Sequence, residues 1–318
     1  MAALLHDIGH SPFSHGTEEL FPEMSENKKY SHEDYTVAII KNKYTDLFKN
    51  DKLNKQRYNI TVNEIIDLIS KKPMEINENS LIWKIIISSQ LDADRSDYLL
   101  RDSIHCGIKY GIYDLDRLLN VLTLVKCIEN PNGIKLGIRK DGLCVAESVI
   151  IARYQLFTQV YFHKTRRAYD LMLIEALREL YKEYPPPDEI DKFLSFDDCK
   201  AWTDIYNNKS NKWSKLIIER KHLKMINESE DTNITKDKID KLTSRDIEHF
   251  IDTPQRNWYD NSKVDDEIFL IDSNGLMSPL SLKSTIVKSI TQESQDKENY
   301  LKRIYVHNDD YEEAIKIM

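Results

Sequence analysis

Along most of this chain, apolar residues recur at the three- and four-residue intervals that turn one side of a helix toward a core. Val62, Ile65, Ile66 and Ile69 line one face of a predicted helix over residues 60–69. Ile82, Ile85, Ile86 and Leu91 continue the pattern over 81–91, and residues 115–125 and 145–157 predict further helices. The period changes where Leu122-Thr-Leu-Val125 and Ile134-Lys-Leu-Gly-Ile138 flank the turn-forming Glu129-Asn-Pro-Asn-Gly133, which predicts a small hairpin. Three prolines in Tyr184-Pro-Pro-Pro-Asp188 cannot continue a helix and mark a boundary.

Beyond that boundary come short helices within 193–206 and a weakly periodic Lys/Glu/Asn-rich tract over 221–241. Strands are predicted at Glu267-Ile-Phe-Leu-Ile271 and Arg303-Ile-Tyr-Val306. The expected fold class is mainly α: a helical bundle with a small hairpin over 1–183, then a smaller α+β region over 184–318. No internal repeat interrupts this reading.

Composition narrows the chemistry only a little. A hydrophobic fraction of 41% is enough for a core. A formal net charge of −8 argues against a general nucleic-acid coat, so nucleic acid is not indicated as a partner, although a local basic pocket leaves a small anionic substrate open. Cys106, Cys127, Cys144 and Cys199 contain no Cys-x-x-Cys pair, which favours a reducing compartment, cytoplasmic or nuclear. No apolar run approaches the roughly 20 residues of a membrane span, and the opening Met1-Ala-Ala-Leu-Leu5 is too short for a signal peptide.

The candidate chemistry begins at His6-Asp7 and is answered by Asp94 within Leu91-Asp-Ala-Asp-Arg-Ser-Asp-Tyr-Leu-Leu-Arg-Asp102. One neutral imidazole and two carboxylates suit a divalent ion that works on phosphate oxygens. A His-Asp dipeptide alone is commonplace. Here Ala2, Ala3, Leu4 and Leu5 form an apolar approach, so the pair is expected to end a buried helix with Gly9 as its terminator. Burying an unpartnered aspartate costs several kcal/mol, which a cation would offset.

In the second segment Asp94, Tyr98 and Arg101 share one helical stripe with Asp102. The bland alternative is an exposed helix laced by Asp–Arg pairs worth a few tenths of a kcal/mol. His10, His15 and His32 complete the set. His15 and Glu18 stand three residues apart on a helix expected after Pro12, where Glu18 would orient the imidazole as a general acid or base. Ser31 caps a following helix, so His32 also reads as an ordinary helix start.

Three blocks resemble the HD-domain phosphohydrolase superfamily, and within it the deoxynucleoside triphosphate triphosphohydrolases of the dGTPase and SAM-and-HD-domain type. They are Leu5-His-Asp-Ile-Gly-His-Ser-Pro-Phe-Ser-His15, then 91–103 with Gly107 beyond, and Val160-Tyr-Phe-His-Lys-Thr-Arg-Arg-Ala-Tyr169. The likeness spans residues 1 to about 175.

This resemblance implies an HD-domain helical bundle with a divalent metal (Mg, Mn, Fe or Zn) held by His6, Asp7 and Asp94. It implies catalytic roles for His15, Glu18, His10 and His32, and substrate contacts from Arg95, Tyr98, Asp102, Lys164 and Tyr169. Asp102 would meet the sugar 3′-hydroxyl. The implied substrate is a nucleoside triphosphate, the products a nucleoside and inorganic triphosphate, and the assembly a homo-oligomer to which the face near Leu115 to Leu122 would contribute.

Two departures qualify it. The family's first metal-binding histidine precedes the doublet by tens of residues, so the chain is expected to be N-terminally truncated. Tyr161 stands where a phosphate-contacting arginine is expected, with Lys164, Arg166 or Arg167 as substitutes. Two alternatives remain open: an HD phosphohydrolase acting on a cyclic dinucleotide, a monophosphate or an alarmone, and a catalytically impaired nucleotide-binding or assembly protein.

Overall fold

The structure is a computed structural model and describes residues 1–26, 28–70, 78–126, 134–254, 267–295 and 301–318. It is mainly helical, with small sheets, as expected for an HD-type bundle with a mixed region. Two compact units are present, and both are discontinuous in sequence. The first comprises Met1–Ile66, Lys164–Pro254 and Asn299–Met318; the second comprises Asp67–His163 and Gln255–Glu298. The expected division at 183/184 therefore falls inside the first unit.

The reason lies in the first unit's cores. Its long helix Lys164–Leu180 buries Ala168, Met172 and Ala176, spaced by four residues on one face. That face meets Ala201, Ile205, Trp213 and Ile217 from the helices Asp198–Asn207 and Lys212–Ile218, and Tyr305 from the strand Lys302–Val306. A second core joins Phe21, Tyr35 and Ile39 to Tyr184, Ile190 and Phe193 across the proline run. The hydroxyl of Tyr35 donates to the Pro185 carbonyl at 2.8 Å. Each of the larger apolar side chains here, such as Met172, Ile205 or Phe21, contributes about 1.5–3 kcal/mol when fully buried.

A three-stranded antiparallel sheet completes this unit, in the order Lys224–Ser229, Lys302–Val306, His249–Asp252. Met225 and Phe250 both pair with Tyr305 across it. The expected strand at 303–306 is its centre, with Ile304, Tyr305 and Val306 buried. The weakly periodic tract 221–241 resolves into the first of these strands and most of the helix Thr232–Thr243.

The second unit packs the helices Ala93–His105, Leu115–Val121 and Leu143–Leu156 around Leu99, Leu118, Val121, Val149 and Ile150. The helix expected over 115–125 stops at Val121, where the chain enters the strand Leu122–Lys126 and pairs antiparallel with Ile134–Arg139. The predicted hairpin strands are thus present; the predicted turn at 129–133 lies outside the described residues. Phe269–Ile271 adds in parallel to the second strand, and Met277–Pro279 follows antiparallel.

Candidate active site

The first turn of the chain is shorter than its apolar approach suggests. The helix Ala2–Leu5 ends with His6 in its cap position. Gly9 does not act as a left-handed terminator. A Cβ there would lie deep inside van der Waals contact with the carbonyl oxygen of His32 and the amide nitrogen of Thr36. Only glycine lets this turn lie against the helix His32–Ile39. Thr36 fixes the approach by donating from Oγ1 to the His6 carbonyl and accepting from the Gly9 amide, both at 3.0 Å.

His6 and Asp7 are brought together by this turn. Nδ1 of His6 donates to the Ala3 carbonyl at 2.8 Å, which turns Nε2 toward Asp7. That Nε2 lies 3.3 Å from Oδ2 of Asp7. An imidazole and a carboxylate facing one point fit a divalent ion.

Residues 11–20 form two 3-10 turns, Ser14–Gly16 and Glu18–Leu20, in place of the helix expected after Pro12. Phe13 and Ser14 are both left-handed, with φ of 63° and 55°. Such backbone costs about 1–2 kcal/mol per residue outside glycine. It is held by the Phe13 amide donating to Asp198 Oδ1 at 2.9 Å and by the buried Thr17 hydroxyl, 2.9 Å from that of Ser11. Consecutive strained residues immediately before His15 are what a functional loop shows.

The loop and the capped start of the helix at Ser31 then converge. Glu18 Oε1 accepts from His32 Nδ1 at 2.6 Å and from His15 Nδ1 at 3.0 Å. His10 stacks on His32, with ring centroids 4.1 Å apart and planes 15° apart, and meets His15 edge-on at 4.5 Å. One ligand atom from each of His10, His15, Glu18 and His32 lies within 4.8 Å of the others. Ser31 and Asp34 form a reciprocal capping box, so both readings of His32 hold: it starts a helix and belongs to the cluster.

Three charge states follow from this packing. Burial would raise the Glu18 carboxyl, but the hydrogen bonds from His15 and His32 outweigh it and hold the group well below its ordinary range. The hydrogen bond to Glu18 raises the His15 imidazole above its ordinary value, against burial. His10 is lowered to about 4 by burial, then by the neighbouring His32 and His15. A protonated His15 beside a neutral His10 can both meet an anion and pass a proton.

The remaining candidates on the helix Ala93–His105 belong to the second unit. Asp94 stands in its first turn. Arg95 is engaged by its own helix cap: its guanidinium reaches the buried Asp92 carboxylate and the Ser89 carbonyl. Asp92, which sequence reasoning passed over, accepts from the Arg95 and Ser89 amides at 2.7 and 2.9 Å. The Asp-x-x spacing ahead of the helix was the available signal.

Tyr161 donates from its hydroxyl to Asp102 Oδ2 at 2.6 Å, with its ring 6.3 Å from that of Tyr98. Arg101 pairs with Asp97 at 2.7 Å and lies 3.7 Å from Asp102, the Asp–Arg lacing of an exposed helix. Arg153, a second residue the sequence did not single out, is buried on the helix Leu143–Leu156 and lowered by burial to about 10. It donates to Gln90 at 3.1 Å. In the first unit, Lys164 opens the helix Lys164–Leu180, and Tyr169 meets His222 edge-on at 5.6 Å.

A mainly helical chain that presents a His-Asp doublet in its first turn has the mark of the HD class. The chain belongs to this family: residues 1–99 match the HD domain, and residues 113–314 match the HD-associated region. It is similar to an uncharacterised protein of Methanocaldococcus jannaschii, 38% identical over 56% of this chain and 32% of that protein. It is also similar to the deoxynucleoside triphosphate triphosphohydrolase SAMHD1 homolog of Dictyostelium discoideum, 25% identical over 72% of this chain and 44% of that protein. The chain thus spans less than half the length of either relative. The crystal structure of a hypothetical protein from Aquifex aeolicus superposes with a TM-score of 0.77 at 28% identity, covering 99% of this chain and 78% of that one. Family and histidine–aspartate geometry support an HD-type phosphohydrolase. No helix among the described residues is long and apolar enough to cross a membrane.

Proposed function

We propose that this protein is a metal-dependent hydrolase of (deoxy)nucleoside triphosphates that releases a nucleoside and inorganic triphosphate. The observation that carries this reading is Glu18 holding His15 and His32 on a single carboxylate oxygen, beside a neutral His10. The likeness to a triphosphohydrolase named as such supports the substrate class.

A divalent ion bound by His6, Asp7 and Asp94 would supply Lewis-acid polarisation of a phosphoryl oxygen. The protein's own residues do the rest. Water adds to the α-phosphorus and releases a proton to solvent, the bond from that phosphorus to the 5′-oxygen breaks, and the departing oxygen takes the proton from His15, which solvent then restores. The raised His15 imidazole is suited to giving that proton near neutral pH, and Glu18 keeps its ring in place. His10 and His32 face the phosphates, and Arg95 and Lys164 offset triphosphate charge. Asp102, steadied by Tyr161, accepts from a sugar hydroxyl, with Tyr98 and Tyr169 flanking the sugar.

The test is product identification by phosphorus NMR, with His15→Ala alongside. Inorganic triphosphate as the sole phosphorus product is expected. His15→Ala is expected to lower turnover at least about 100-fold, with bound metal unchanged by elemental analysis. Pyrophosphate or monophosphate would instead move the protein to the branch acting on another nucleotide, and full activity of the variant would remove His15 from its role.

A further inference from the structure

The first unit carries a second concentration of charge that the histidine cluster does not use. Residues 41–57 hold Lys41, Lys43, Lys49, Lys52, Lys55 and Arg57 against only Asp46 and Asp51, in a chain whose formal net charge is −8. Lys43 is paired with Asp191, and Arg57 lies over the Tyr58 ring at 5.5 Å. Lys41, Lys49 and Lys55 instead line one concavity of about 570 Å³, together with Thr45, Phe48 and Ile60. Among the described residues, no carboxylate lines this hollow and none is ion-paired with these three ammoniums.

The hollow is held open by its own framework. The Asn54 amide donates to the carbonyls of Phe48 and Ile60 at 3.0 and 2.9 Å and accepts from the Ile60 amide at 2.8 Å, which ties one wall to the other. Asn59 takes a left-handed turn, φ 49°, between those walls. The nearby Glu64 is turned away to cap its helix, accepting from the Thr61 amide at 2.7 Å and hydroxyl at 2.9 Å. Among the described residues, no acid is paired with these lysines.

Like charges facing one hollow repel, the more so the closer they stand. A multiply charged anion converts that repulsion into attraction. Lysines on long flexible stems suit the scattered oxygens of phosphate groups better than the fixed fork needed for a carboxylate. The volume falls within the roughly 300–1,000 Å³ of small-molecule sites. We propose that this concavity binds a small ligand carrying clustered phosphates, with its apolar part against Phe48 and Ile60. The site shares no residue with the histidine cluster and does not depend on the hydrolase reading.

The probe is inorganic tripolyphosphate, titrated calorimetrically into the full chain, into a Lys41→Gln/Lys49→Gln/Lys55→Gln variant and into His15→Ala. The lysine variant is expected to lose one class of binding, weakening it at least about tenfold, and that class should weaken steeply with salt in the parent. His15→Ala should keep that class. The three side chains are exposed, so the thermal midpoint of the variant should stay near that of the parent; if it does not, the three single variants, each weakening binding a few-fold, make the same test. An unchanged isotherm in the lysine variants overturns the proposal. So does binding of single-stranded DNA or anionic vesicles by the parent without binding of tripolyphosphate.

Discussion

Glu18 shows how much one side chain sets at the residue scale. Its Oε1 is shared by two imidazoles, at 2.6 and 3.0 Å. Its folded-state pKa is lowered, so its contribution to stability is present above the ordinary value of 4.5 and is lost as pH falls below it. His15 has the opposite sign. Its pKa is raised, so its contribution is full below the ordinary value of 6.5 and is lost as pH rises through the raised one. Both act fully only between those two ordinary values. Glu18→Gln is therefore expected to cost about 2 kcal/mol near pH 6 and less near pH 3, where the carboxylate's advantage has begun to fall but is not yet gone, measured by denaturant unfolding at both. The same substitution should return the His15 imidazole toward its ordinary pKa in a proton NMR titration; an unshifted His15 would refute the coupling.

Part of this was legible beforehand. Three-residue spacing announced the His15–Glu18 pair, because neighbours at that interval meet on any helical turn. The His32–Glu18 bond was not legible, because the two stand fourteen positions apart across the paired strands Glu23–Ser25 and Lys28–Lys29, beyond the reach of any helical spacing. Nor did the sequence betray the left-handed Phe13 and Ser14, since neither is a residue type that favours that region.

The deciding element is the helix His32–Ile39, which serves as the bed for the His6–His10 turn. Its periodicity says only that Tyr35 and Ile39 face a core. Its start, by contrast, carries Ser31 and Asp34 in a capping box that sequence rules recognise readily. What no rule revealed is that Thr36 is a polar bracket and Gly9 a contact point, because both depend on a neighbour distant in sequence. Gly9→Ala must push two backbone atoms aside, which costs about 1–3 kcal/mol or more in a packed interior. Gly107 is the contrast: it has a positive φ of 66° but nothing within reach of an added methyl. Gly107→Ala should then cost only about 1–2 kcal/mol, from backbone strain alone. The further expectation separates the two variants. Gly9→Ala should disturb the His10 and His32 ring signals in an NMR spectrum, while Gly107→Ala should leave them in place.

At the scale of the whole molecule, a chain division that looked natural at the proline run is overruled by burial. Prolines end a helix locally, but they do not say which side of the break a core claims. Here Tyr184 at the head of the run, with Ile190 and Phe193 beyond it, completes the core begun by Phe21, Tyr35 and Ile39. The helix Lys164–Leu180 ahead of it finds its partners in Ala201, Ile205, Trp213 and Tyr305. Periodicity predicts that each of these faces is buried but is silent about its partner, which is why the elements were legible and the units were not. A fragment of residues 1–183 would keep the histidine cluster's own side chains while exposing Phe21, Tyr35, Ala168 and Met172. Losing the burial of several such residues, at about 1.5–3 kcal/mol each, matches or exceeds the 5–15 kcal/mol that holds a typical domain. That fragment is expected to show no cooperative thermal transition and rapid cleavage by trypsin, whereas the full chain is expected to melt cooperatively and to resist cleavage. A fragment that melted cooperatively and kept the histidine rings ordered would mean that the active-site bundle is independent of everything beyond the prolines.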